Sequence, residues 1–584
     1  MTRADEDPLL VMTTKGHVRG FTTTTAHGKT VDAFFGIPFA RPPVGDLRFR
    51  RPRPLRMWDG ILNATKPPNS CYQALDTTFD DFLGSAMWNA NTQLSEDCLY
   101  LSIWVPQPRP TSSAVMVWIY GGGFVMGTLT LDIYDGATLA AEENVIVVSF
   151  QYRVGALGFL YLATEDAPGN AGMYDQVAAL RWVRENIAAF GGNPQSVTIF
   201  GESAGGASAS LHTLSPVSKE LFNQAILMSG SATCPWAVLT RDVALDRAVK
   251  LTQRLKCLSS SEILAGNLPK LLACLRKVPA SEIVDQQTDG FLDFSFVPVI
   301  DGEFLPASPG SILKGGGFKR SNIMLGSVSE EGTHFILYQF QQLLGLKDQI
   351  QMTYDHLIAS LDNIFSKMFS RTAMDAIIFQ YTDWLDPHDP IRNVDLLEKA
   401  VGDYYFTCNL NEQALSYAQA GHGLGIYMYT FTHQSSNLPW PKWVGVAHSS
   451  ELDYVFGWPL DPKRGYTEDE VQLSKRMMKY WANFARTGNP SLTIQDGYSN
   501  HSWPVYSLSG KEHLMMDTKD PLIQGDVRAT QCAFWKSYLP QLQRTSTNES
   551  CPRGLETSSG GPSKGQSSFY FRWVILSVAL VGLV

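Results

Sequence analysis

Residues 196–211 constrain this chain more than any other stretch. Ser196-Val197-Thr198-Ile199-Phe200 reads as a short buried strand that runs straight into Gly201-Glu202-Ser203-Ala204-Gly205. Small residues from Ala204 to Leu211 then read as a helix. A G-x-S-x-G pentapeptide alone is common. Between a strand and a helix it marks a tight turn that lifts a serine out of a sheet edge, because the flanking glycines allow strained dihedrals and close backbone approach. That context predicts Ser203 as a nucleophile and an α/β fold around it.

The rest of the chain has the same rhythm. Ala114 to Tyr120 is a continuous apolar run that ends in Gly121-Gly122-Gly123, and Asn144 to Phe150 is another. Such runs suit strands buried on both faces. Asp175 to Phe190 is helical by spacing, with Val177, Leu180, Trp182, Val183 and Ile187 apolar, and it stops at Gly191-Gly192. Strands alternating with helices predict a large, mainly parallel sheet flanked by helices, within one unit spanning residues 1–540. No internal repeat is evident. With 584 residues, 44% hydrophobic and 18% charged, the chain can bury a large core. A net charge of -9 without a long Lys/Arg run excludes nucleic acid as a partner. The sign is compatible with a cationic substrate but does not select one.

A serine nucleophile needs oriented N–H donors for the oxyanion. The glycine loop after the strand at 114–120 supplies Gly122 and Gly123, and the residue after the nucleophile supplies Ala204. An acid and then a histidine should follow Ser203 in the chain. Glu330-Glu331-Gly332 lies just beyond Asn322-Ile323-Met324-Leu325-Gly326, a good strand. His422, His433, His448, His501 and His513 all come late enough, and spacing leaves them open. This chemistry calls for no cofactor and no metal.

Several signals point outside the cell. Sequons stand at Asn63, Asn500 and Asn548 as glycan candidates. No secretory signal is visible in MTRADEDPLL. Residues 541–568 are rich in Ser, Thr and Gly and read as a polar stalk; residues 569–584 are an apolar tail. Its uncharged run, Trp573 to Val584, is shorter than the ~20 residues a bilayer core needs. Small residues at Ser558-Ser559-Gly560-Gly561, a polar spacer and that tail form the pattern of a GPI-anchor signal.

Longer segments carry a resemblance. SEDCLYLSIWVP at 95–106, VMVWIYGGGF at 115–124, FGESAGGASAS at 200–210, FSFVPVIDGEF at 294–304 and GVAHSSELDYVFG around His448 are similar to cholinesterases of the type-B carboxylesterase family. The likeness extends from Phe35 to the C-terminal cysteines. It implies the α/β-hydrolase fold and hydrolysis of choline esters, most of all acetylcholine to choline and acetate, through an acyl-enzyme. It implies a triad of Ser203, Glu331 and His448. It implies Trp88 and Glu202 as the choline site, with Tyr338 and Trp440 further along the gorge and Asp76 at its rim. The acyl pocket it implies is Trp236, Leu292, Phe294 and Phe335, with one aliphatic and one aromatic wall at Leu292 and Phe294. It also implies disulfides Cys71–Cys98, Cys257–Cys274 and Cys408–Cys532, a buried free Cys234, and Cys551 paired with its copy in a GPI-anchored homodimer at the cell surface.

The chain departs from the family at several points. His334 occupies a choline-site position, where a histidinium at acid pH would repel a cation. Ala74 and Val125 fall at aromatic rim positions. Ser449-Ser450 follow His448 in place of Gly and Tyr. Two alternatives share the fold: a broad carboxylesterase for neutral esters, and a neuroligin-like adhesion protein. Trp88 argues against the first and the intact GESAG against the second.

Overall fold

A computed structural model describes residues 7–257, 267–288, 294–421, 423–491 and 502–548. Its centre is a sheet of eleven strands. The strands that matter for the site are β1 (Ser113–Ile119), β2 (Ile146–Phe150), β3 (Gly192–Glu202), β4 (Gln224–Met228), β5 (Ile323–Val328), β6 (Ile426–Phe431) and β7 (Glu512–Met516). They lie in the order β2-β1-β3-β4-β5-β6-β7, all parallel. Antiparallel strands extend both edges, Tyr100–Pro106 beside β2 and Leu522–Gly525 beside β7. Every residue of β2 and β5 is buried, as is β1 after Ser113, which is why these strands read as unbroken apolar runs.

The chain order turns about β1, with β2 on one side and β3 on the other. In open parallel sheets that switch opens a crevice at the carboxyl ends of the strands. The glycine loop leaves β1 there, and the Ser203 turn leaves β3. The expected helix at 175–190 is Ala171–Asn186, continued by a 3₁₀ turn at Ile187–Phe190. It begins earlier than periodicity indicates because Asn170, in a left-handed conformation, is locked to Val299 by paired hydrogen bonds of 2.8 and 2.7 Å. A second difference lies at the C-terminal end. Residues 541–548, expected as the start of a stalk, complete a helix, Leu539–Asn548. Leu539 is buried, and Gln543 Oε1 accepts a 2.8 Å hydrogen bond from the Ser370 N–H, so this turn is held by the folded body.

Cys71–Cys98, Cys257–Cys274 and Cys408–Cys532 are bonded, and Cys234 is buried and free. The first closes a loop with a separation of 27 residues that carries Asp76 and Trp88. A constraint of that length is worth about 3–4 kcal/mol in the chain-entropy account. Among the described residues no helix is long and apolar enough to cross a membrane. Asn63 is exposed at the end of strand Ile61–Asn63. Asn500, Cys551 and the proposed anchor lie outside the described residues, as does the side chain of Asn548.

Candidate active site

Ser203 sits between the end of β3 and the helix α1 (Ala204–Leu214), with φ 58° and ψ -122°. A residue with a Cβ rarely adopts that backbone, and holding it there costs about 1–3 kcal/mol. The turn is fixed from both sides. The Ser203 N–H donates to Met228 O at 2.8 Å and its carbonyl accepts from the Ala207 N–H at 2.8 Å. Gly205 packs so closely that a Cβ there would stand 1.9 Å from Ile119 O. The second glycine of the motif is therefore required by the helix-on-strand approach.

The glycine loop begins where Tyr120 and Tyr152 stack at 4.4 Å and exchange hydroxyl-to-carbonyl bonds of 2.8 and 2.9 Å. Gly122 O accepts from the N–H groups of Val125 and Met126 at 3.0 Å each. Gln73 then ties Gly127 with two bonds of 2.8 Å. Among the described residues no acceptor takes the N–H groups of Gly122, Gly123 or Ala204. The loop is rigid and its donors are unused, which is what a site for a developing oxyanion requires.

Glu331 follows β5 in a turn braced from behind by the helix α2 (Pro390–Gly402). Lys399 Nζ donates to Ser329 O at 2.8 Å, and Glu398 Oε1 accepts from the Gly332 N–H at 3.0 Å. The loop bearing His448 is zipped to the same turn. Glu330 Oε2 accepts from the Val446 N–H at 2.9 Å, and the Glu330 N–H donates to Val446 O at 3.2 Å. The outcome is a 2.6 Å contact between His448 Nδ1 and Glu331 Oε2, with Glu331 1% exposed. Of the histidines left open by spacing, His448 meets an acid at this site. His433 instead contacts Glu470, and His513 lines a separate cavity behind Glu331. His422 and His501 lie outside the described residues.

His448 Nε2 is 3.1 Å from Glu202 Oε1, and among the described residues it makes no hydrogen bond of good geometry. Hydrogen bonds of catalytic groups commonly tighten only with substrate in place. Glu202, Glu331 and Glu451 thus surround one imidazole. Burial raises the Glu202 carboxyl, against the pull of His448 and a hydrogen bond from Ser449. Burial also raises Glu451, and Glu202 and Glu331 add to it. For His448, burial alone would lower the pKa, but Glu202 and Glu331 more than reverse it and the net shift is upward.

Aromatic rings wall the site. Phe335 and Phe406 lie 5.3 and 4.7 Å from the His448 ring, and Trp236 bridges Phe406 and Phe294 at 5.8 and 5.9 Å. Leu292 lies outside the described residues, so the aliphatic wall has no structural account. On the other side His334 stacks on Tyr338 at 4.7 Å and meets Trp440 edge-on at 5.6 Å. Tyr338 donates a 2.5 Å hydrogen bond to Asp76. Trp88 follows the short turn Leu83–Ala86, is partly buried, and packs against the core. Its neighbour Asn89 grips the Asp76 backbone with bonds of 2.6 and 2.8 Å, and Phe79 and Phe82 of the same loop pack on Trp440. Ala74 is exposed and Val125 partly buried.

Burial, and after it the neighbouring His448, push the His334 imidazole down to about 3, and Asp76 opposes them. Sequence reasoning missed Phe406, which carries no motif and reaches His448 from a π-turn at Asp403–Thr407.

A buried nucleophile on a strained turn, a glycine loop with free donors and an acid-paired histidine define a serine hydrolase site. The Carboxylesterase family model matches residues 7–535, and the chain belongs to that family. It is 43% identical to an acetylcholinesterase of Bungarus fasciatus over 551 residues, 92% of this chain and 88% of that one. It is 44% identical to acetylcholinesterase 1 of Caenorhabditis elegans over 534 residues, covering 88% and 86%. With an acetylcholinesterase of Electrophorus electricus the identity is 41%, covering 93% and 90%.

Proposed function

We propose that this chain hydrolyses choline esters, acetylcholine foremost. Ser203 attacks the ester carbonyl while His448 Nε2 takes its proton, and Glu331 holds the Nδ1 tautomer and stabilises the imidazolium. Gly122, Gly123 and Ala204 donate to the oxyanion. His448 returns the proton to the departing choline, and water then releases acetate from the acyl-serine by the same route. Trp88 and Glu202 receive the trimethylammonium group through cation–π attraction and charge. Tyr338, Trp440, His334 and Asp76 line the approach, and Trp236, Leu292, Phe294 and Phe335 bound the acetyl group.

The observation that carries this reading is the buried Glu202 carboxylate 3.1 Å from His448, beside the nucleophile. A carboxylate there favours a cationic ester over a neutral one. The test compares kcat/KM for acetylthiocholine and its uncharged carbon isostere. A preference for the cation that Ser203→Ala abolishes along with all turnover supports the reading. Equal values would point to a general carboxylesterase instead. The relatives' names and the three disulfides support an extracellular setting. Glycosylation at Asn63, Asn500 and Asn548, a GPI anchor, and a dimer through Cys551 complete the proposal.

A further inference from the structure

Ser449 directly follows His448, and its φ is 75°. That is the left-handed region, which a residue carrying a Cβ enters only at a cost and which glycine enters freely. The backbone alone therefore does not ask for serine. The side chain gives the reason, since its Oγ donates a 2.8 Å hydrogen bond to Glu202 Oε1. That same oxygen stands 3.1 Å from His448 Nε2. Among the described residues Ser449 is the one hydrogen-bond donor to the Glu202 carboxyl. The other titratable groups facing it are His448, Glu331, Glu451, Tyr134 and Tyr429. Of these only His448 can bring positive charge, and the carboxylates oppose ionisation.

A buried carboxylate without a donor takes up a proton rather than remain charged. A hydroxyl pointed at one oxygen favours the charged form and competes with the imidazole for that oxygen. We propose that Ser449 is a positioning residue whose hydroxyl keeps Glu202 ionised and shares Oε1 with His448. The negative charge beside Ser203 then persists to lower pH, and Nε2 is freer to turn to the serine proton. The consequence for substrate choice rests on the choline-ester reading; the protonation of Glu202 does not.

Ser449→Gly and Ser449→Ala test this. Glycine fits φ 75° and keeps the fold, so a purely structural role predicts a glycine variant that behaves like the parent or better. The quantity to follow is the ratio of kcat/KM for acetylthiocholine to that for its uncharged isostere, across pH. Titration of His448 affects both substrates and cancels, leaving Glu202. In both variants the fall of the ratio on the acid side should move up by about one pH unit, a tenfold change in proton affinity. In a Glu202→Gln background the glycine substitution should change nothing further. Isotope-edited infrared titration of the Glu202 carboxyl, assigned with Glu202→Gln, should show the same upward shift whatever ester is preferred. A parent ratio near one at every pH would sink the choline reading and leave the infrared result to decide on Ser449. A Glu202 titration unmoved in Ser449→Gly overturns the proposal.

Discussion

Gly123→Ala sets two parts of the site against each other. A Cβ on Gly123 would stand 2.4 and 2.6 Å from two carbons of the Phe294 ring. Comfortable carbon contacts begin at about 3.5 Å, so one side must move by roughly 1 Å. The φ of 62° adds about 1–2 kcal/mol of strain for any residue but glycine. If the loop retreats, an oxyanion donor is lost, at about 3 kcal/mol or more than 100-fold in kcat for every acyl group. If the ring retreats, the acyl pocket widens and the donor stays.

The bonds decide between these outcomes. The loop is fixed by the Tyr120–Tyr152 clamp, by two N–H donors on Gly122 O and by Gln73 on Gly127. Phe294 is anchored by its backbone, through Arg247 to its carbonyl at 2.6 Å, while its partly buried ring meets Trp236 at 5.9 Å. The ring is the softer element. The expected result is a modest loss on acetylthiocholine and a gain in the butyryl-to-acetyl ratio of about tenfold, within the roughly 1–3 kcal/mol that a methylene is worth in a fitted pocket. Steady-state hydrolysis of the two thiocholine esters measures it. An equal loss of more than 100-fold on both would refute the argument, because it would mean that the loop yields first.

Trp88→Ala should cut kcat/KM for the cationic ester roughly 30-fold, from about 2 kcal/mol of cation–π attraction, and spare the neutral isostere; equal losses would mean that Trp88 only packs. Glu202→Gln removes a charge that raises the His448 pKa, and the base works when deprotonated. The acid limb of kcat/KM on a neutral ester should therefore move to lower pH, by about 1–3 units, and a limb that stays would show that Glu202 does not face the working imidazole. A GPI-specific phospholipase should release a disulfide-linked dimer from expressing cells, whereas mass spectrometry that finds Val584 in the mature chain would rule out the anchor.

The sheet was readable because a strand buried on both faces leaves an unbroken apolar run, as at Val115–Ile119 and Ile146–Phe150. Element ends were less readable, because tertiary bonds set them. Asn170 starts its helix through Val299, and Gln543 holds the last helix through Ser370. Neither partner is near in sequence. The site divides in the same way. Ser203, Gly122 and Gly123 carry local signatures, since a tight turn and a backbone donor need glycine. Glu331 lies in the turn after β5 and His448 in a loop well beyond β6, and neither has a local signature, which is why order in the chain leaves several histidines open and only the family resemblance chooses among them. Phe406 had no signal at all.

The buried carboxylates also lie beyond the reach of local reading, and they set the chemistry. Glu202 must be ionised to draw a cation, yet the same charge makes the His448 proton harder to remove. Attraction for substrate and readiness of the base therefore oppose each other through one pair 3.1 Å apart. A hydrogen bond that satisfies Glu202 from another direction holds the charge for the substrate and weakens the carboxylate's hydrogen-bonding claim on the imidazole, although the coulombic pull on the proton stays. Ser449 donates such a bond, from a backbone conformation that costs stability. A residue kept under strain beside the acid-paired histidine is better explained by what its side chain does to that pair than by any need of the fold.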